Sequence, residues 1–295
     1  MRRAAGALWL GAATALLLLA ACAPGTPAPG MPGPDAGSKA DAAPSADAGP
    51  ILGYPWRLVW QDEFDGNSGD RPDPSHWHPE VGTDWGNQQL EFDTDRTDNA
   101  RLDGQGNLAI VARRESFNGR DFTSARLASK GSLDRRYGRF EARLKLPRGQ
   151  GLWPAFWLLG DNIDNDGWPN CGEIDIMENR GQQLHVVRGS LHGPGFSGGA
   201  NHGKETDIGA DVSADFHTYV VEWDLERVIW KVDEKVYFTA TPADLPASGT
   251  WVYDHPFFII LNVAVGGNFV GNPSGATQFP QTMLVDYVRV YERLP

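Results

Sequence analysis

The sequence predicts an all-β protein, one β-sandwich of Greek-key or jelly-roll type, on three observations. From Trp56 onward the apolar residues fall in short alternating runs divided by turn residues. No stretch of that region sustains helical periodicity. No second linker interrupts it, and no repeat of fixed period points to a propeller or a β-helix. A mixed α/β fold is the alternative. With 295 residues and only two cysteines, the core must come from apolar burial and not from a disulfide framework.

The runs justify themselves one by one. Trp56 to Gln61 and Asn107 to Arg113 are the first two. In Arg139 to Leu146, Phe140, Ala142, Leu144 and Leu146 share one side while Arg139, Glu141, Arg143 and Lys145 share the other, which predicts a strand with one buried face. Phe216 to Trp223, Val228 to Val232, Phe257 to Val265 and Met283 to Tyr291 read the same way. The breaks at Asp224 to Arg227 and Asp233 to Lys235 predict tight hairpin turns.

Ahead of the predicted sandwich lie two segments of different character. Met1, Arg2 and Arg3 precede an apolar run from Ala7 to Ala21, broken only by Gly11 and Thr14, as in a secretory signal. Leu19, Ala20, Ala21 and Cys22 resemble the lipobox of bacterial lipoproteins, so residues 1–21 are expected to be a cleaved signal peptide and Cys22 the site of lipid attachment. An uncleaved anchor would need about 20 predominantly apolar residues, and this run is shorter and followed by Pro24 and Gly25. Up to Pro50 the chain is almost wholly Ala, Pro, Gly, Ser and Asp, too poor in large apolar groups to offset the entropy of ordering. Residues 22–50 are therefore expected to tether a domain spanning 51–295 to a membrane, in an exported lipoprotein of the outer membrane or cell surface. A net charge of −12 without a basic run after Arg3 argues against a nucleic-acid partner.

Chemistry concentrates between Cys171 and Asn179. Strand alternation sets Glu173 and Asp175 on one face and Ile174 and Ile176 on the other. Regular alternation would turn Glu178 away, so a site containing both glutamates requires an extra residue, expected at Met177, to bulge the strand. Taken alone, Glu-x-Asp-x-x-Glu fits equally well an amphipathic strand with its acidic side in water. The flanks weigh against that, because Trp153, Pro154, Ala155, Phe156, Trp157, Trp168 and Pro169 set the carboxylates among large aromatics. A cleft floored by carboxylates and walled by indoles is what cleavage of a glycosidic bond requires.

The chain resembles glycoside hydrolase family 16, and most closely its bacterial laminarinase (endo-β-1,3-glucanase) branch, from about Val59 to Tyr291. The segments that carry the resemblance are Trp60-Gln61-Asp62-Glu63-Phe64, Trp85-Gly86-Asn87, Tyr137-Gly138-Arg139-Phe140-Glu141, Gly151-Leu152-Trp153-Pro154-Ala155-Phe156-Trp157, Gly172-Glu173-Ile174-Asp175-Ile176-Met177-Glu178, His192-Gly193-Pro194, Leu261-Asn262-Val263-Ala264-Val265-Gly266-Gly267-Asn268 and Val285-Asp286-Tyr287-Val288-Arg289-Val290-Tyr291. The resemblance implies a jelly-roll of two curved antiparallel sheets with a glucan cleft along the concave face. It implies Glu173 as nucleophile, Glu178 as acid/base and Asp175 as the carboxyl between them, expected to share a proton with Glu173. The inserted Met177 matches the bulged form of the motif found in laminarinases.

By the same resemblance Trp85, Asn87, Trp153, Trp157 and Trp168 contact sugar, and His192 joins the carboxylate cluster or lies in a surface loop. Phe269 departs from the family, where a Trp commonly follows Gly-Gly-Asn; the ring is kept and the indole N–H lost. A structural Ca²⁺ is implied on the convex side, with Glu63, Gly106 and Asp286 as ligands, the first two through backbone carbonyls. No cofactor is expected for catalysis, and the protein is expected to act as a monomer. No zinc pattern exists around His76 and His78, and Cys171 reads as buried packing.

Three functions follow from the sequence. One is an endo-acting β-1,3-glucanase acting on laminarin-like polymers. A second is a non-catalytic β-glucan-binding protein on the same fold, disfavoured because Glu173 and Glu178 are both present. A third is a same-family enzyme acting on mixed-linkage glucan, agarose or carrageenan, with substrate choice set by cleft loops such as Asp161 to Asn170 and Pro194 to Lys204.

Overall fold

The computed structural model describes residues 56–295. The predicted signal peptide, the Cys22 lipid site, the linker and residues 51–55 lie outside the described residues. In chain order the strands are β1 (Trp56–Asp62), β2 (His78–Pro79), β3 (Glu91–Asp93), β4 (Ala100–Leu102), β5 (Leu108–Phe117), β6 (Arg120–Ser124), β7 (Arg126–Ala128), β8 (Gly138–Lys145) and β9 (Leu152–Gly160). They continue with β10 (Glu173–Glu178), β11 (Val186–His192), β12 (His202–Asp207), β13 (His217–Trp223), β14 (Val228–Val232), β15 (Lys235–Ala240), β16 (Phe257–Val265) and β17 (Gln281–Arg293). A single α-helical turn, α1 (Ile163–Asp166), follows β9. Among the described residues no helix is long and apolar enough to cross a membrane.

Two sheets form a jelly-roll sandwich. One runs β12-β11-β10-β9-β16-β7-β2, and the other β15-β14-β13-β8-β17-β5-β6-β3, with β1 beside β17 and β4 beside β5. The chain crosses between sheets from β8 to β9, from β12 to β13 and on either side of β16, so residues far apart in sequence meet in one core. One pairing departs from the expected antiparallel pattern: β3 runs parallel to β6, Glu91 opposite Phe122.

Alternation decides which side chains meet. In β9, Leu152, Phe156 and Leu158 enter the core, and Trp153 and Trp157 face the opposite way; in β16, Ile259, Leu261 and Val263 enter the core and Asn262 faces out. Phe156 is fully buried, so Phe156→Ala would cost about 3–5 kcal/mol. On the outer face a small apolar patch of Leu159, Phe258 and Ile260 is capped by Cys171, with Ile163 of α1 packed on it. Leu159, Ile163 and Phe258 also line part of a cleft on the seven-stranded sheet.

The polar side of β8 corrects the expectation of one buried face. Arg139 and Glu141 are 6% and 7% exposed. Arg139 pairs with Glu141, Glu222 and Glu234, and Tyr287 donates to Glu141 at 2.8 Å. Charges are buried here because neighbouring strands supply partners for them, which alternation in one strand cannot reveal. The Asp233–Glu234 hairpin forms as predicted, both residues taking positive φ (48° and 65°).

Candidate active site

Sheet register builds the site. Glu173 lies opposite His192, Asp175 opposite Ser190 and Glu178 opposite Arg188, across the β10–β11 pair. Between Asp175 and Glu178 the register slips by one residue against β11, and against β9 it slips between Asp175 and Met177. The bulge is therefore real but displaced: Met177 pairs with Phe156, and Ile176 is the residue without a β9 partner. Both Ile176 and Met177 point into the core, at 1% and 0% exposure, because two consecutive apolar side chains gain more from burial than one would from a regular ladder. The extra residue returns Glu178 to the face of Glu173 and Asp175.

The three carboxyls are joined through two other side chains. His192 Nε2 lies 3.1 Å from Asp175 Oδ2 and 3.5 Å from Glu173 Oε1. Ser190 Oγ lies 2.5 Å from Asp175 Oδ2 and 3.3 Å from Glu178 Oε2. A serine has one hydroxyl hydrogen, and the shorter contact with Asp175 takes it. The contact with Glu178 is then satisfied by a protonated Glu178 donating to Ser190 Oγ. The Gly198 amide donates to His192 Nδ1 at 3.0 Å, so the ring presents its Nε2 hydrogen to Asp175. His192 thus belongs to the carboxylate cluster, and it, not a direct contact, links Glu173 to Asp175.

The electrostatics separate the two glutamates. Burial, then the Asp175 charge, pushes Glu178 up to about 8. The same two causes raise Glu173 to about 7, opposed by His192 and by the Trp168 N–H. Burial and the Gly198 N–H at Nδ1 favour the neutral His192 imidazole, while Glu173, Asp175 and Glu178 draw its proton affinity upward. Adjacent anions in a poorly hydrated site cannot all ionise, so the cluster retains a proton near neutral pH, most strongly at Glu178. One carboxyl kept protonated and another within reach of the His192 Nε2 hydrogen is the division of labour needed by a general acid and a nucleophile.

The cleft, about 480 Å³, is lined by all five predicted sugar-contact residues, Trp85, Asn87, Trp153, Trp157 and Trp168 among them. The indoles also reach chemistry. Trp153 Nε1 donates to Glu178 Oε1 and Trp168 Nε1 to Glu173 Oε2, both at 3.0 Å, and Trp157 Nε1 donates to Asn262 Oδ1 at 2.8 Å. Phe269 packs at a tilt of 44° against Trp153 with ring centroids 4.9 Å apart, and the Arg180 guanidinium lies over the Phe269 ring at 4.0 Å.

Several participants escaped the sequence reading. Arg126 stands between the Trp85 and Trp157 rings, 4.8 Å from each centroid, and is paired with Glu80. Behind this wall lie two buried acids of β3. Glu91 accepts the Val265 amide at 2.7 Å, and burial raises its carboxyl to about 7; Asp93 accepts Trp85 Nε1 at 2.9 Å and is raised by burial and by Glu91. Asn262 was findable as a polar residue inside an otherwise apolar nine-residue run. Cys171 is buried, and its thiol is raised to about 12 by burial, then Glu173, which makes it a poor nucleophile.

The residues expected to hold calcium give a divided answer. Because β1 and β5 both pair with β17, Asp62 opposite Val288 and Leu108 opposite Val285, the segments of Glu63, Gly106 and Asp286 converge where β17 itself is bulged. The two carboxylates are nonetheless engaged by arginines: Arg289 grips Glu63 at 2.7 and 2.8 Å, and Arg143 meets Asp286 at 2.5 Å. Among the described residues, the acid and histidine side chains close enough to share a metal are Glu173, Asp175 and His192, in the cleft.

A jelly-roll sandwich with paired, unequally protonated carboxyls in an indole-lined cleft defines a glycoside hydrolase. The chain belongs to glycosyl hydrolases family 16, whose profile matches residues 78–289. It is 42% identical to a beta-glucanase of Rhodothermus marinus, over 80% of this chain and 85% of that protein. It is 40% identical to a glucan endo-1,3-beta-glucosidase of Cryptopygus antarcticus, over 79% of this chain and 91% of that one. The crystal structure of the laminarinase catalytic domain of Thermotoga maritima superposes with a TM-score of 0.77 at 46% identity, covering 81% of this chain and 99% of that domain.

Proposed function

We propose that the protein hydrolyses internal β-1,3-glucosidic bonds of laminarin-like β-glucans with retention of configuration. Glu173 attacks the anomeric carbon, and Glu178 first protonates the leaving oxygen and then activates the water that releases the glycosyl-enzyme. Asp175, Ser190 and His192 keep the proton inventory of the pair. The bulge that returns Glu178 to the face of Glu173, with its carboxyl raised to about 8, carries this reading. The choice of glucan is supported by the likeness to the Rhodothermus, Cryptopygus and Thermotoga proteins.

Product analysis on laminarin, lichenan and agarose tests it. New reducing ends from laminarin as a ladder of oligosaccharides support an endo-acting β-1,3-glucanase and exclude a non-catalytic binder. Release confined to lichenan or agarose would reassign the substrate within the family.

Two further proposals concern the whole chain. Export and lipidation at Cys22 are supported by the Leu19-Ala20-Ala21-Cys22 segment and the linker that follows it. Cys22→Ser should move the protein out of the membrane fraction, and identical partitioning of both forms overturns the proposal. A structural Ca²⁺ is supported by the convergence of Glu63, Gly106 and Asp286 on the β17 bulge and opposed by the Arg143 pair. Chelation should lower the melting temperature, and an unchanged melting curve with no metal by elemental analysis removes it.

A further inference from the structure

We infer that Trp230, a core residue of the sheet facing away from the cleft, is a positioning residue for the catalytic carboxyls. Its indole Nε1 donates to the backbone carbonyl of Asp175 at 2.8 Å. Asp175 is the last residue of β10 in register before the bulge on both sides. In an unbroken strand a backbone carbonyl lies along the sheet toward a neighbouring strand. A carbonyl that meets an indole from β14 of the opposite sheet has turned into the sandwich interior. Trp230 therefore satisfies the backbone at the point where the ladder fails.

The neighbours of Trp230 leave it one place to sit. It is fully buried, and Phe238 stacks on it with centroids 4.6 Å apart and planes 27° from parallel. Gly189 of β11 lies beneath the indole, where a Cβ would collide with Cδ1 and Nε1 of the ring and with the Tyr237 hydroxyl. Gly189 is also next to Ser190, the hydroxyl between Asp175 and Glu178. One indole thus fixes the backbone of the central carboxylate and packs on the strand that carries its bridging serine. Neither Trp230 nor Gly189 lines the cleft. Loss of the Nε1 bond frees the Asp175 carbonyl to seek an in-plane partner, which relaxes the bulge and draws Glu178 away from Asp175. Errors of about 1 Å in such a constellation cost on the order of 100-fold in rate.

The inference rests on the hydrolase reading for its kinetic arm, so the test carries an arm that needs no turnover. Trp230→Phe is compared with Trp77→Phe, which removes an equally buried indole N–H donating to Asp62 Oδ2 at 2.8 Å, outside the cleft. Both should melt earlier. Trp230→Phe alone should lower kcat on laminarin at least ten-fold with KM within about two-fold, and move the alkaline limb of the pH profile to lower pH as Glu178 leaves the Asp175 charge. In the unliganded protein, carbon-detected NMR titration should report the same downward movement of the Glu178 carboxyl. Gly189→Ala, which displaces the indole without deleting it, should reproduce both effects should Trp230→Phe fail to fold. Equal kcat, pH profile and Glu178 titration in Trp230→Phe and Trp77→Phe would overturn the inference. A wild type without glucanase activity would sink the hydrolase reading, leaving the NMR arm to decide this one.

Discussion

The indole N–H of Trp153 donates to Oε1 of Glu178 at 3.0 Å. A residue expected to stack on sugar is therefore also bonded to the proposed proton donor. The bond favours the ionised carboxyl, against burial and the Asp175 charge, which raise it.

Trp153→Phe keeps a ring against Phe269 and deletes that donor. Without the bond the Glu178 carboxyl rises further, so the alkaline limb of the pH–rate profile should move to higher pH, by about one unit for a charge-assisted hydrogen bond. The rate at the optimum should fall about ten-fold, because an over-stabilised proton is transferred less readily. Initial rates on laminarin from pH 5 to 10 check it, and an unmoved limb contradicts it.

Asp175→Asn should act in the opposite direction. The Asp175 charge is the second cause, after burial, of the raised Glu178 carboxyl. An amide removes the charge while its carbonyl can still accept from Ser190. The alkaline limb should move down by about one unit and the rate above neutrality should fall. The same pH series measures this, and a limb that rises would contradict it.

How much of this was legible beforehand follows the physics. Alternation located β1, β5, β8, β13, β14, β16, β17 and the acidic face of β10, and the break at Asp233 located its hairpin, because each is a property of one segment; the other strands escaped it. The bulge expected at Met177 is shared by Ile176 and Met177 against β11 and falls on Ile176 alone against β9, since pairing depends on the neighbouring strands and not on β10 alone. Arg126, Ser190 and the Glu91–Asp93 pair were missed for a related reason. Their significance comes from cross-strand partners, and β3 and β7 are three residues long, too short to show periodicity. The buried charges Arg139 and Glu141 were mistaken for a solvated face because partners from three other segments are invisible in one strand.

Buried acids make stability pH-dependent with a definite sign. Burial lifts Glu91 from 4.5 to about 7, so the folded protein keeps a proton that the unfolded chain releases above about 4.5. Its contribution is fully present below that value and is lost as pH rises toward about 7; Glu178 extends the decline to about 8. Glu115 and Glu292, lowered chiefly by hydrogen bonds from Thr123 and Arg57, lose stability as pH falls below their unfolded values. The melting temperature should therefore peak in the mildly acidic range and decline through neutrality. Glu91→Gln, which can still accept the Val265 amide, should flatten the decline between pH 5 and 7 by several degrees. An unchanged slope in the variant contradicts the assignment.

The two glutamates should fail differently. Glu173→Ala should lose at least 1,000-fold in turnover and still bind laminarin oligosaccharides in the indole-lined cleft. Glu178→Ala should lose a similar factor on laminarin but retain much of its glycosylation rate on an aryl glucoside whose phenolate leaves without a proton. Burst kinetics with the aryl substrate and calorimetric binding check the pair, and equal losses on both substrates in Glu178→Ala would contradict its role as acid.

The central claim, that Glu173 and Glu178 act on one glycosidic bond by double displacement, is tested most directly by the anomeric configuration of the first product. Proton NMR of laminarin hydrolysis, recorded before mutarotation, should show the new reducing ends appearing as the β anomer and drifting later to equilibrium. Initial appearance of the α anomer would show single displacement and contradict the account.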